Sequence, residues 1–197
     1  MPFRAAQRPA VIVGYTGAAL YVVLLAVLHF IQPHMLHDAT ISKYSLGRGG
    51  WMLQAAFISA GIGYAGIARL LSRRAALLAW LTAAAFVVMG AFRIDSVGPS
   101  RVVSVHGALH TVAFFVVVVL AHWLMVMVRS RAESPVLRRL PFISPVLAVV
   151  GFVLPGLLGA LIFRAWTLSL VTWVVLAARE TQPANDDTKS PTMTLST

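Results

Sequence analysis

A carboxylate and two histidines stand out in a chain that is otherwise mostly apolar. Asp95 lies in a short polar turn, and His106 and His110 follow it at the start of a long apolar run. Because residues four positions apart lie on the same face of a helix, a helix here would place the two imidazoles one above the other. Such a pair is a common donor set for zinc or another first-row metal. The spacing makes this turn the leading candidate for chemistry.

A metal shell at this turn needs further ligands from elsewhere in the chain. His34 and His37 follow the first apolar run, and Asp95 or Asp38 would add a carboxylate. Two other interpretations stay open: the histidines hydrogen-bond to backbone and hold a bundle together, or they handle protons or a substrate. Ionisable residues within a membrane span are functional candidates because placing them there costs free energy.

Arg164 is the candidate for contact with an anion. It lies inside an apolar run, where a guanidinium requires a carboxylate or another anionic partner. Asp95 is the internal carboxylate that we expect to pair with it. The candidate site residues are therefore Asp95 and Arg164 as catalytic residues, and His106, His110, His34 and His37 as metal ligands.

The composition indicates a membrane protein. Of 197 residues, 59% are hydrophobic and 11% charged, whereas a soluble domain has about 25% charged residues. The net charge of +10 does not indicate nucleic-acid binding, because the arginines lie in clusters between apolar runs, as the positive-inside rule describes. The absence of cysteine from the sequence excludes disulfides and thiolate metal sites.

Six apolar runs predict the fold class, an all-α polytopic bundle of six transmembrane helices in the cell membrane. A spanning helix needs about 20 apolar residues. The predicted spans are residues 10–31, 51–71, 75–92, 102–128, 142–154 and 158–178, within a membrane domain of residues 10–179. Residues 1–9 form a basic tail. Residues 180–197 form a polar tail that we expect to be disordered, because it has little apolar surface to bury.

Basic residues are divided unevenly between the two ends of the predicted bundle. One end receives Arg4, Arg8, Arg69, Arg73, Arg74, Arg129, Arg131, Arg138, Arg139, Arg179 and Lys189. The other receives Lys43, Arg48, Arg93, Arg101 and Arg164. Because short loops rich in arginine and lysine stay in the cytoplasm, both termini are predicted to be cytoplasmic and the Asp95 turn to face outward.

Several segments, in order along the chain, carry a resemblance to a known family. They are residues 41–51 (Ile-Ser-Lys-Tyr-Ser-Leu-Gly-Arg-Gly-Gly-Trp), 92–95 (Phe-Arg-Ile-Asp), 106–110 (His-Gly-Ala-Leu-His) and 156–158 (Gly-Leu-Leu), followed by Arg164 and Trp173. Together they resemble the family called Domain of Unknown Function 998, compact bacterial and archaeal membrane proteins with about six spans. The likeness covers roughly residues 11–178.

The resemblance refines the choice of residues without naming a reaction. Arg93 stands where members of the family tend to have a proline, which implies a different turn geometry. The histidine at the position of His110 is the more regular of the pair in the family, so the resemblance favours His110 over His106. The family's activity is not established.

Three hypotheses about function follow from these residues. In the first, a divalent metal such as zinc is bound by His106, His110 and a loop histidine, and Asp95 prepares water for hydrolysis of an amphipathic substrate. In the second, Asp95, His110 and Arg164 form the site of a small proton-coupled transporter. In the third, the protein is a non-catalytic membrane subunit whose polar cluster fixes packing. Membrane lipids and a small-molecule or lipid ligand are the expected partners.

Overall fold

Six long helices make up most of the structure. The computed structural model describes residues 2–38, 40–96 and 103–180; Arg101, Lys189 and the predicted tail beyond residue 180 lie outside these ranges. The helices are α1 (Pro2–Ile31), α2 (Trp51–Ala68), α3 (Arg73–Ala91), α4 (Val105–Arg129), α5 (Pro135–Val153) and α6 (Gly156–Glu180). No strand occurs in the described ranges, and all six helices are long and apolar enough to cross a membrane. The prediction of an all-α, six-span membrane protein is confirmed.

Two short 3₁₀ helices connect α1 to α2. They comprise Pro33–His37 and Ile41–Leu46, and we call the described residues between 32 and 50 the cap. The buried side chain of Gln32 donates to the backbone oxygens of Tyr44 at 3.1 Å and Arg48 at 2.7 Å. These bonds join the second half of the cap to its first residue. The cap lies at the end of the bundle where α1 ends and α2 begins, which we call the cap end; the opposite end is the arginine end.

Helix α5 begins earlier than the sequence indicated. Its predicted start was residue 142, but the helix begins at Pro135, where Ser134 accepts the backbone N–H of Leu137 at 3.5 Å. Proline suits the first helical position because its fixed φ matches the helix and its missing N–H has no partner to lose there. Pro141 and Pro145 then lie inside the helix, as membrane helices tolerate.

Helix α6 packs against helices from both the beginning and the end of the chain. Helices α1 to α4 pack in order as neighbouring pairs, and α6 packs against α5, α1 and α2. Tyr21, Tyr64, Trp166 and Trp173 are among the largest fully buried side chains. Because α6 contacts helices from the beginning of the chain, its polar residues are brought to the cap.

Candidate functional site

Arg164 is the centre of the polar contacts at the cap end. It lies two turns into α6, is 6% exposed, and donates all five of its N–H groups. The five acceptors are His29 Nε2 (2.7 Å), Ala160 O (2.8 Å), Met35 O (3.0 Å), Asp38 O (3.2 Å) and the Tyr44 hydroxyl (3.3 Å). Four of the five belong to α1 and the cap, so the guanidinium ties the last helix to the first connection.

His29 takes part in this arrangement as a neutral ring. A guanidinium only donates, so the His29 Nε2 that it contacts must carry a lone pair. The other nitrogen, Nδ1, lies 2.6 Å from the backbone oxygen of Leu25 and therefore carries the proton. His29 is therefore the tautomer that carries its proton on Nδ1.

The expected ion pair between Asp95 and Arg164 was wrong. Every donor of Arg164 contacts a neutral acceptor, and the ion pair found within the described residues joins Lys43 Nζ to Asp38 at 2.5 Å. Burying a charge without a counter-charge costs free energy. Hydrogen bonds to a charged group contribute about 1.5–3 kcal/mol each, so five of them offset that cost without a carboxylate.

His110 forms a second link between the cap and the helices. Its Nδ1 lies 3.0 Å from Met89 O and 2.9 Å from Phe92 O, at the end of α3. Because carbonyl oxygens only accept, Nδ1 carries the proton. Nε2 lies 2.9 Å from the hydroxyl of Ser42, within hydrogen-bond distance. His110 is 3% exposed, and both ring nitrogens have protein partners.

The other candidate histidines are separate from His110. His106 is exposed and lies edge-on to the Phe92 ring, with 5.4 Å between ring centroids. His34 and His37 are exposed on the first 3₁₀ helix. Across the described ranges, no group of three His, Cys, Asp or Glu side chains could hold one metal ion. The metal hypothesis therefore has no support from the positions of the ligands.

Asp95 lies at the start of α4 and contacts Ser104. Its carboxylate accepts the Ser104 hydroxyl at 2.5 Å and the Ser104 backbone N–H at 2.8 Å. These hydrogen bonds, the hydroxyl's first, lower the pKa of the Asp95 carboxyl from its ordinary value of 3.8. Ser104 in turn accepts the backbone N–H of Gly107 at 3.1 Å, as a helix-capping serine does. Arg93 donates to Gln54 at 3.3 Å instead of pairing with Asp95.

A further polar chain lies within the bundle, away from the cap. His122 on α4 contacts Ser144 on α5 at 3.0 Å, and Ser144 lies 2.8 Å from Ser169 on α6. The indole N–H of Trp166 also points to His122 Nε2, at 3.4 Å. These contacts join three helices through small hydroxyls. Ser144 and Ser169 were not among the predicted site residues, because isolated serines in apolar runs carry no distinguishing signal.

Ser42 and His29 were not among the predicted site residues. Ser42 lies within the 41–51 segment that carried the family resemblance, so that segment was the available signal. His29 lies near the end of α1, three residues before Gln32, where the cap begins. A lone histidine at a helix end has no spacing partner that would identify it.

A small cavity lies beside Ser42. Its volume is about 20 Å³, and its lining is mostly aromatic and aliphatic, with Tyr21 and Thr167 as further polar members. A space of this size holds about one water molecule. It has no room for a lipid or another amphipathic substrate in this conformation.

The chain belongs to a family of membrane proteins without an assigned activity. The family model described as "Protein of unknown function (DUF998)" matches residues 15–180, which confirms the resemblance found in the sequence. No curated protein and no solved structure matches the chain.

Proposed function

We propose that this protein is a non-catalytic membrane subunit whose polar side chains fix the cap to the six-helix bundle. The observation that supports this is the saturation of Arg164, which has an acceptor within 3.3 Å for each of its five N–H groups. A guanidinium that binds a substrate needs free donors. Here an anion would first have to displace the cap from Arg164.

His110 supports the same interpretation. Its two nitrogens join the end of α3 and the cap to α4, and the ring also lies edge-on to Phe57, with 5.9 Å between centroids. A histidine that takes part in proton transfer or metal binding needs one nitrogen exposed to the reacting group. Both nitrogens of His110 instead hydrogen-bond to groups of the protein itself.

The proposal predicts that Arg164→Lys lowers the thermal stability of the full-length protein in detergent. Lysine has three donors, so at least two of the five acceptors lose theirs, at about 1–3 kcal/mol for each buried group left unpaired. A melting temperature lower by roughly 5 °C or more is expected. The measurement is thermal unfolding followed by circular dichroism or a dye.

Arg93→Lys is the matched control, because exposed Arg93 makes one side-chain hydrogen bond to the described residues, to Gln54. Its melting temperature should stay within about 1 °C of the wild type. Equal melting temperatures for Arg164→Lys and wild type would contradict the proposal, because Arg164 would then not be holding the cap.

A second candidate function is hydrolysis by Ser42 activated by His110. The 2.9 Å contact between Ser42 Oγ and His110 Nε2, with Nδ1 fixed by two carbonyls, is the geometry of a nucleophile and its general base. Against it stands the cavity of about 20 Å³, which must open before a substrate can reach the hydroxyl.

A fluorophosphonate probe separates the two candidates. An activated serine attacks phosphorus, displaces fluoride and gives its proton to the histidine. The hydrolase candidate predicts labelling of the wild type that is lost in Ser42→Ala and kept in Ser45→Ala. Ser45 donates to the Ser42 backbone oxygen and has no histidine partner in the part of the chain that the structure describes. The non-catalytic proposal predicts no labelling in any of the three.

The two other hypotheses have less support. Metal-dependent hydrolysis needs ligands that the described residues do not bring together. Proton-coupled transport would need Asp95, His110 and Arg164 to act as one site, but each has its own separate partners. Loss of flux in proteoliposomes on Asp95→Asn would favour transport over the structural role.

A further inference from the structure

We propose that the arginine end holds a binding site for the headgroup of a monoanionic phospholipid. A cavity of about 580 Å³ lies there between the start of α3, the end of α4 and the end of α6. This volume falls within the roughly 300–1,000 Å³ typical of ligand sites, and it far exceeds the cavity beside Ser42. The inference concerns the opposite end of the bundle and does not depend on the proposed function.

Three arginines supply the positive charge of this cavity. Arg73 and Arg74 begin α3, and Arg131 follows α4; all three line the cavity and are exposed. Among the described residues none of them forms an ion pair, since the ion pair found there joins Lys43 to Asp38. Unpaired guanidinium groups around one space are suited to bind phosphate oxygens.

Two glutamates also line the cavity and limit the charge of its ligand. Glu180 accepts the backbone N–H groups of Glu133 at 3.1 Å and Ser134 at 2.5 Å, so its carboxylate is already used at the start of α5. Three arginines and two glutamates leave the lining with a net charge of +1. That balance suits the single negative charge of a phosphodiester better than a nucleotide polyphosphate.

The location favours a lipid over a soluble anion. The cavity lies at the ends of membrane-spanning helices, which is the depth of lipid headgroups. Its walls include Leu70, Leu71, Val128 and Leu137, which can contact the glycerol and the first methylenes of the acyl chains. A phosphate bound by arginines above an apolar wall matches a phospholipid.

The test measures lipid binding to purified full-length protein by native mass spectrometry and by thermal stabilisation. Phosphatidylglycerol should bind more tightly than phosphatidylcholine, and inorganic phosphate should give little stabilisation. The double variant Arg73→Gln/Arg131→Gln should weaken phosphatidylglycerol binding about 25-fold, and each single variant about fivefold, as expected for one arginine near a membrane surface. The single variants also serve if the double variant fails to fold.

Arg138→Gln/Arg139→Gln is the matched control, because these exposed arginines lie at the same end of the bundle outside the cavity lining. It should change binding by less than about twofold. An equal loss in the control would overturn the proposal by showing general attraction to basic residues, and equal binding of phosphatidylcholine would overturn the requirement for an anionic lipid. Equal stabilisation by inorganic phosphate would assign the site to a soluble anion instead.

The chain's own C-terminal segment is the competing occupant, because it carries Asp186 and Asp187. Phosphatidylglycerol binding that occurs only in the full-length variant Asp186→Asn/Asp187→Asn would show that this segment fills the cavity, and would overturn the proposal. Equal binding in that variant and in wild type supports the lipid.

Discussion

At the scale of single residues, Asp95 acts on the start of α4 through Ser104. The carboxylate accepts two hydrogen bonds from Ser104, and Ser104 caps the helix at Gly107. A side chain at position 107 would overlap the Asp95 carboxylate, so a larger residue there would push the carboxylate from its present position. The three residues form one unit that sets where α4 begins.

This unit predicts a dependence of stability on pH. Because the hydrogen bonds lower the pKa of Asp95 below its ordinary value of 3.8, the charged form stabilises the folded state above that value. The contribution is lost as the pH falls from 3.8 through the lowered pKa. The protection of the amides in the first turn of α4 against hydrogen exchange, corrected for the intrinsic dependence of exchange on pH, should therefore fall across that interval in wild type.

In Asp95→Asn the same amides should exchange faster at neutral pH, with no further change attributable to position 95 on acidification. The two proteins should converge at the acid end of the interval. A constant difference between them down to the lowest pH would refute the role given to the carboxylate.

The sequence identified His110 and Arg164 as unusual but could not supply their partners. Arg164 contacts residues 120 or more positions away, and such contacts depend on how α6 packs. The four-residue spacing of His106 and His110 is helical, as predicted. His106 lies one turn nearer the helix start and is exposed, whereas His110 faces the end of α3. The spacing predicted that the two histidines share a helix face, but it did not predict how deeply each one is buried.

At the scale of helices, α1 and α2 pack through very small residues. A Cβ atom on Gly17 would overlap the backbone of Gly63 and Ser59 on α2. Close backbone approach through small residues is a common way for membrane helices to associate, because it increases van der Waals contact. Ser59 and Gly63 thus explain why these two helices lie so near each other.

Gly17→Ala should destabilise the protein because the helices must separate to admit the methyl group. Overpacking of this kind costs about 1–3 kcal/mol. Gly14→Ala is the matched control on the same helix, since a Cβ there meets Ile67 Cγ2 at 3.4 Å, an ordinary contact. Thermal unfolding of the two variants should differ clearly, and equal melting temperatures would show that α1 and α2 adjust freely.

Helix number was predictable and helix partners were not. Apolar runs long enough to span a membrane identify helices directly, whereas the packing of α6 against α1 and α2 leaves no periodic mark in the sequence. The extended start of α5 was also hidden, since Pro135, Pro141 and Pro145 are consistent with several boundaries. A proline alone does not identify a helix start, because Pro135 begins α5 whereas Pro141 and Pro145 lie inside it.

At the scale of the whole molecule, the distribution of charge predicts the orientation in the membrane. Arg69, Arg73, Arg74, Arg129 and Arg131 lie at the arginine end, as expected for a cytoplasmic face. The sequence contains no cysteine, so single cysteines report orientation without background. Ser96 and Ser130 are exposed at opposite ends.

On intact cells, a membrane-impermeant maleimide should label Ser96→Cys and leave Ser130→Cys unlabelled. Both should react after lysis, which confirms that each position is accessible. Labelling of Ser130→Cys alone on intact cells would show that the orientation is the opposite of the predicted one, with the cap in the cytoplasm.

The contacts of Arg164 have a consequence for the order of events during synthesis. The cap is made soon after the first span, but the donors that satisfy His29 and the backbone oxygens of Met35 and Asp38 arrive with the sixth. Domains fold from the N-terminus as the chain emerges, so the first four helices can pair before α6 exists. Until the last helix inserts, these three acceptors lack the donors that Arg164 supplies. A chain that stops short of Arg164 therefore leaves His29 and the backbone oxygens of Met35 and Asp38 without the donor that the complete chain supplies.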